Sequence, residues 1–428
     1  MSSRYDDVHS AARIPVVFLH ERKENTGESR MNTEHLEQIT EPLLCWFAQC
    51  ARYLPWRAYP LPYYVWVSEI MLQQTRVEAV KPFFARFMEA LPDVQALAVC
   101  EEDRLLKLWE GLGYYNRVRN MQKAAGIIME QYDGQIPDQY EELLKLPGIG
   151  NYTAGAVTSI AYGKPVPAVD GNVLRVISRI TGCDDDIMKQ SVRRNFEEEL
   201  KKIMPKEYPM AYEETKKLVE TGAGAGFEKG NLRNRPGIFN QSLMELGATV
   251  CLPNGAPDCE KCPVKLLCYA YQNGCQMELP VKAVKKERRI ENRTVLVIRD
   301  SMHAAVRKRP SKGLLAGLYE LPNAEGHLTQ EEALHMVKTY GFSPLRITKL
   351  EEAKHIFSHV EWRMTGYMVV VGDWENKTDP GEPEELERKK LLFIEPEKTE
   401  REYPIPAAFA AYVKYLSIRL GQEKYENT

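Results

Sequence analysis

The run Leu146–Ile177, LPGIGNYTAGAVTSIAYGKPVPAVDGNVLRVI, joins a Pro-Gly-x-Gly turn, a helix of small residues, a proline-braced link and an aspartate that opens another helix. Glycines ahead of a helix leave its first N–H groups free, so a phosphate oxygen can be held without net positive charge. The preceding EELLKL has a helical pattern, which makes Pro147, Gly148 and Gly150 the turn of a helix-hairpin-helix candidate. Gly150 is expected to take a backbone angle that other residues avoid. Asp170 stands where a helix N-cap belongs, and capping alone would explain it. A capping carboxylate also stays ionised, which suits a group that must stabilise positive charge developing beside it.

At 428 residues the chain exceeds one ordinary core, so two or three domains are expected. A net charge of −3 and a pI near 6.3 argue against nucleic-acid binding by bulk charge and leave only a locally basic surface. No run of eighteen apolar residues and no apolar leader in the first thirty residues point to an intracellular protein without a membrane partner. Nine cysteines without a secretory signal argue against a disulfide framework.

Upstream of the central stretch, residues 1–30 read as a mobile tail, and apolar spacing predicts one helix over Thr33–Tyr53. After LPWR, the segment Tyr63–Phe87 reads as a second helix. It carries Glu69 one turn from Val65, Trp66 and Leu72, so the carboxyl group is flanked by apolar side chains. Such a setting keeps a proton available near neutral pH, as a general acid requires, although a Glu whose head reaches solvent is the plainer reading. The loop GLGYYNR, with Tyr114, Tyr115 and Arg117 followed by Arg119, mixes aromatic faces and cations that can stack on bases and contact phosphates. A packed helix–helix corner would look the same.

Downstream, residues 191–220 look helical, and a glycine-rich insert at 221–236 receives no function. Cys251, Cys259, Cys262 and Cys268 have the spacing C-x7-C-x2-C-x5-C, which suits four thiolates around one metal centre. Ligand type alone leaves zinc and an iron-sulfur cluster open. The remaining cysteines, Cys45, Cys50, Cys100, Cys183 and Cys275, are expected to be buried small hydrophobes. A basic connector at 276–292 leads to a strand-rich α+β region at 293–420, with a helix around Glu331–Tyr340, an acidic loop at 373–391, a closing helix at Pro406–Leu420 and a tail at 421–428.

Taken in order, VSEIMLQQTRV, LWEGLGYYNRVRN, LPGIGNYTAGAV, VDGNVLRV and FNQSLMELGATVC resemble adenine DNA glycosylases of the MutY type, over roughly Leu36–Cys268 and more weakly beyond. The resemblance implies a multidomain chain: an all-α helix-hairpin-helix glycosylase core with an iron-sulfur cluster loop, plus a C-terminal α+β Nudix-like domain. The helical region would span 31–275, with a six-helix subdomain at about 54–168 and a cluster subdomain from 32–53 and 169–275. The implied substrate is double-stranded DNA holding adenine opposite 8-oxoguanine or guanine, with the protein acting as a monomer in the cytoplasm or nucleoid if bacterial.

By the same resemblance Glu69 is the acid that protonates the base, and Asp170 faces the sugar with Tyr152 and Asn172 beside it. Tyr152 stands where related lyases carry a Schiff-base lysine, which implies a monofunctional glycosylase. Gln74 and Tyr114 would enter the duplex, Leu72 would lie near the adenine pocket, and Arg52 and Arg57 near the flipped nucleotide. The hairpin Pro147, Gly148 and Gly150 would hold phosphate, with its carbonyls a candidate seat for a monovalent cation. The four cysteines would hold a [4Fe-4S] cluster, although the first gap is one residue longer than the usual six. His355, Phe357, Ser358 and His359 would read 8-oxoguanine. The helix TQEEALHMVKTYG lacks a Nudix metal motif, so recognition without hydrolysis is expected there. Competing readings are a glycosylase with another mispair target or lyase activity, and a non-catalytic lesion-binding protein.

Overall fold

The computed structural model describes residues 31–206, 234–283, 287–372 and 391–416. The tails at 1–30 and 421–428, nearly all of the glycine-rich insert and nearly all of the acidic stretch lie outside these residues. Among the described residues no helix is long and apolar enough to cross a membrane.

The first helical segment is a 3-10 turn, Leu36–Ile39, running into α1, Thr40–Cys50, with Leu36, Ile39, Leu43, Leu44 and Phe47 buried. The expected second helix proves to be two, α2 (Pro62–Leu72) and α3 (Val77–Ala90). Helix α2 starts on a proline and buries residues around its whole circumference, as a helix crossing the middle of a domain must. It stops because Arg117 caps its end: the guanidinium donates to the carbonyls of Ile70, Met71 and Gln73 at 2.6, 3.2 and 2.7 Å. Those are carbonyls that a continuing helix would have satisfied itself. Gln74 then turns the chain with φ of 58°.

Further helices follow as α4 (Glu102–Leu108), α5 (Asn116–Gln131), α6 (Asn151–Ala156), α7 (Gly171–Thr181), α8 (Gln190–Ile203) and α9 (Arg235–Thr249). A short helix at Val94–Ala98, capped by Asp93, escaped the sequence reading. Two apolar cores result. One gathers side chains from Leu54 to Ala168, and the other joins Leu36–Phe47 to Val169–Val264. The chain passes between them at the link ahead of Asp170, so that residue lies on their seam.

The link is held tightly. At Gly155 a Cβ would sit 2.2 Å from the carbonyl oxygen of Pro167, so no side chain fits. Helix α6 widens into a π-helical turn at Val157–Ala161, and Asn234 takes the carbonyls of Ser159 and Ile160 at 3.0 and 2.8 Å. Asn240, fully buried, accepts from the Ala168 N–H at 3.0 Å and donates to Ser159 Oγ and the Val166 carbonyl.

The C-terminal region is one sheet in the order β3-β2-β1-β6-β5, with β4 on β1 and β7 on β2. The strands are β1 (Arg289–Arg299), β2 (Ala304–Lys308), β3 (Tyr319–Glu320), β4 (Asn323–Glu325), β5 (Pro344–Ile356), β6 (Val360–Val371) and β7 (Leu391–Ile394). The first strand thus starts inside the expected connector, because Arg289 already pairs with Val360 in the parallel β1–β6 ladder. Alternation along β1 sends Val295 and Val297 to one core and Leu296 and Ile298 to the other. Helix α10 (Gln330–Thr339), opened by a Thr329–Glu332 capping box, covers the second face. Of the expected closing helix, the described residues show a 3-10 turn at Ala407–Phe409 and a single turn at Ala410–Val413, and residues 417–420 lie outside them. Of the five cysteines expected in the interior, only Cys183 is buried, while Cys45 and Cys50 are exposed.

Replacing Gly155 with Ala should lower stability by about 1–3 kcal/mol, the usual cost of overpacking. The urea midpoint of the helical region measures it, and an unchanged midpoint would show that Pro167 yields freely.

Candidate active site

The hairpin turn has the local geometry expected of it, with one exchange of roles. Gly148 takes the left-handed conformation, φ +80°, and a Cβ there would lie 2.7 Å from that of Asn120. Gly150, the residue expected to need an unusual angle, is extended with φ of −104°, which any residue adopts. Pro147 opens the turn. The first hydrogen bond of α6 runs from the Ala154 N–H to the Gly150 carbonyl at 2.9 Å, so the N–H groups of residues 151–153 precede it and face outward from the helix start.

One turn into α6, Tyr152 donates its hydroxyl to Oε2 of Glu69, which arrives from α2. Glu69 is 6% exposed, contrary to the plainer reading from sequence. Burial pushes its carboxyl group up to about 7, with the charge of Asp170 adding to the rise and Tyr152 and Arg57 opposing it. Near neutral pH this group therefore retains a large protonated fraction.

Asp170 caps α7 as expected. Its carboxylate accepts from the N–H groups of Asn172 and Val173 at 2.9 and 2.8 Å and from Asn172 Nδ2 at 2.7 Å. Burial raises its pKa from the ordinary value, while these donors and the Arg175 charge pull it back. Every hydrogen-bonding neighbour given for the two oxygens is a donor, an arrangement that fits the carboxylate and not the acid. The surroundings of Glu69 thus favour the acid more than those of Asp170 do.

Both carboxyl groups line one cleft of about 460 Å³, together with Arg52, Arg57, Leu72, Gln74, Tyr152 and Asn172. The structure gives the two arginines a partner that the sequence did not reveal. Glu245 of α9, nearly fully buried, receives Arg52 Nε at 2.6 Å and Arg57 NH2 at 2.8 Å. One carboxylate therefore answers two guanidinium groups, and the pairing ties the segment after α1 to α9. Arg117 and Arg119 likewise serve the fold rather than presenting free cations. Arg117 caps α2 as described, and Arg119 bonds Glu102 and the Ala316 carbonyl.

Tyr114 lies at the far side, half exposed and with φ of 49°. Its hydroxyl shares a hydrogen bond of 2.7 Å with that of Ser358, at the tip of the β5–β6 hairpin. In that hairpin the Phe357 ring packs edge-on between His355 and Trp362, with centroids 4.5 and 4.9 Å away, and its N–H reaches the Val360 carbonyl. His359 sends its carbonyl to the Arg289 N–H.

Cys251, Cys259, Cys262 and Cys268 line a second cavity, walled by Val176, Ile180, Leu246, Val250 and Val264. Among the described residues no three His, Cys, Asp or Glu side chains converge closely enough for a single metal ion. The thiols instead ring a common space. Burial pushes Cys262 up to about 12 and Cys268 to about 11, so only a bound cation would hold them as thiolates near neutrality. Arg179 donates to Cys251 Sγ at 3.2 Å, and Arg175 joins the Cys251 carbonyl to Asn172 Oδ1 at 2.8 and 3.0 Å. The long first gap is absorbed on the surface: residues 253–256 are exposed, while the Asp258 N–H closes the loop on the Val250 carbonyl at 3.0 Å.

Residues 67–202 match the HhH-GPD superfamily base excision DNA repair protein family, and residues 294–415 match the NUDIX domain. The adenine DNA glycosylase of Mus musculus is 32% identical over 396 residues, covering 79% of this chain and 72% of its own. That of Buchnera aphidicola subsp. Baizongia pistaciae is 30% identical over 335 residues, covering 77% and 86%. The chain belongs to the adenine DNA glycosylases.

For this member of the adenine DNA glycosylases, Glu245, Asn234 and Asn240 are the residues that the sequence reading missed. A Glu or Asn within an apolar helical run is the available signal, since a polar group inside a core must be paired. Which partner it meets was not readable.

The buried Glu69 also makes a stability prediction. Its folded pKa, about 7, exceeds the ordinary value of 4.5, so its contribution is fully present below pH 4.5 and is lost as pH rises to about 7. Glu69→Gln escapes that loss and should be more stable than the parent at pH 8 by roughly 1–3 kcal/mol, with the difference shrinking toward pH 4.5. Paired urea titrations across this range check the sign.

Proposed function

We propose that this adenine DNA glycosylase is monofunctional, acts as a monomer, and removes adenine from pairs with 8-oxoguanine, or with guanine, in double-stranded DNA. The observation that carries the reading is the pair Glu69 and Asp170 on one cleft, Glu69 buried with one hydroxyl donor and Asp170 held by three N–H donors. Adenine must leave the stack to reach such a cleft. There Glu69 gives its proton to N7, the C1′–N9 bond breaks with its electron pair passing to the base, and the Asp170 carboxylate faces the positive charge left on the sugar. Water then adds to C1′ and loses a proton, leaving an abasic site. Paired carboxyl groups of this kind are the usual means of glycoside hydrolysis.

Strand cleavage by a lyase route needs an amine. No lysine is among the described residues lining the cleft, and Tyr152, with its phenol held well above its ordinary pKa, serves as a donor to Glu69. This supports hydrolysis alone.

Recognition of 8-oxoguanine is assigned to the Phe357–Ser358 hairpin, with Tyr114 as the wedge that enters the duplex and Gln74 opposite it. The N–H groups behind Pro147, Gly148 and Gly150 are proposed to hold phosphate. Cys251, Cys259, Cys262 and Cys268 are proposed to hold a [4Fe-4S] cluster, a reading supported by the four thiols lining one cavity. When bound, the cluster would cross-link the cysteine loop and steady the DNA-facing surface.

In single-turnover assays on a labelled 8-oxoguanine:adenine duplex, Glu69→Gln and Asp170→Asn should each slow adenine release by about 10²–10⁴-fold while duplex binding persists. Retained excision would sink the role assignment, and a borohydride-trapped covalent adduct would overturn the monofunctional reading. Ser358→Ala should narrow the preference for 8-oxoguanine over guanine opposite adenine; an unchanged ratio removes Ser358 from recognition. For the cysteines, the purified protein should be brown and release sulfide on acidification. A colourless protein holding one zinc would contradict the cluster.

A further inference from the structure

Helix α4 turns its polar face to the C-terminal domain. Asp103, Lys107 and Glu110 follow one another at helical spacing, and each reaches across. The Asp103 carboxylate accepts from Lys308 Nζ at 2.7 and 2.9 Å and from the Tyr319 hydroxyl at 3.0 Å. Lys107 donates to the Thr399 carbonyl, and Glu110 accepts the Ile405 N–H, both at 2.7 Å. From α5, Arg119 adds its bond to the Ala316 carbonyl.

Beside these contacts Leu318, adjoining β3, is fully buried in the apolar core of the helical region rather than in that of its own sheet. Leu315 packs against both cores. A partly exposed ion pair contributes little on its own in water. A polar rim around a buried apolar anchor, however, is the anatomy of an interface that fixes orientation. In this orientation the Ser358 hydroxyl meets that of Tyr114, on the loop that directly follows α4.

We infer that Asp103, Lys107 and Glu110 are positioning residues for opposite-base discrimination. They set the angle at which the Ser358 hairpin faces the Tyr114 wedge and have no part in adenine release. The inference rests on the recognition role proposed for Ser358. Its consequence is that discrimination is lost when the two domains swing apart, while the cleft of Glu69 and Asp170 is unaffected.

The test compares single-turnover excision from 8-oxoguanine:adenine and guanine:adenine duplexes by the full-length chain. Asp103→Lys should leave the guanine:adenine rate at the parent value and narrow the preference for 8-oxoguanine by about fivefold, the lower range of ordinary coupling between sites. Adding Lys308→Asp restores the opposite-charge pair and should recover the preference. Three results overturn the inference: an unchanged preference in Asp103→Lys, an equal loss on both duplexes, or a charge-swapped double variant no better than the single. Ser358→Ala run alongside separates the two levels. If it narrows the preference while Asp103→Lys does not, the docking inference falls and the recognition reading stands; if neither variant has an effect, the recognition reading falls with it.

Discussion

The approach of Gly155 to the carbonyl of Pro167 is the contact on which the catalytic geometry depends. It presses the helix that carries Tyr152 against the link that delivers Asp170, so two segments eighteen residues apart meet at one wall of the cleft. Asn234, at the N-cap of α9, donates to the Ser159 and Ile160 carbonyls of the π-helical turn beyond Gly155, and Asn240 within α9 donates to the Val166 carbonyl of the link. Helix α9 therefore does three things at once. It braces the link, anchors Arg52 and Arg57 through Glu245, and ends two residues before Cys251, the first cysteine of the cysteine loop.

The electrostatic design follows from how the two carboxyl groups are surrounded. Glu69 is buried with one hydroxyl donor, and its pKa is raised to about 7. Asp170 has a helix start and an amide, and the charge is favoured. The difference lies in how many N–H groups reach each oxygen, not in residue type. Through Asn172 and Arg175 the Asp170 oxygens connect by hydrogen bonds to the backbone of Cys251. Any displacement of the cysteine loop is thus felt at the carboxylate. A buried acid of raised pKa opposes folding at neutral pH, which is the common conflict between an active site and a stable one.

Gln74 and Tyr114, on loops beside the cleft and the β5–β6 hairpin, hold left-handed backbone angles that non-glycine residues seldom adopt. Arg117 lies between them, bonding the carbonyls at the end of α2 on one side and those of Leu112 and Gly113 on the other. A single half-buried guanidinium thereby fixes both loops in conformations that cost energy locally. Strain of this kind persists only where surrounding contacts over-determine it.

The sequence by itself determined whatever is written within a few residues: the capping of α7 by Asp170, the turn at Pro147 and Gly148, the cysteine spacing and the alternation of β1. These depend on local backbone chemistry, which acts the same way in any fold. It could not show that Glu69 is buried, that the long apolar run breaks at Gln74, that Glu245 pairs with both Arg52 and Arg57, or that the polar face of α4 meets a second domain instead of water. Each of those is settled by a partner far along the chain, and a polar side chain has the same spacing in sequence whether it faces solvent or an ion pair. Tertiary packing decided them, because burial and pairing are properties of what arrives on the other side.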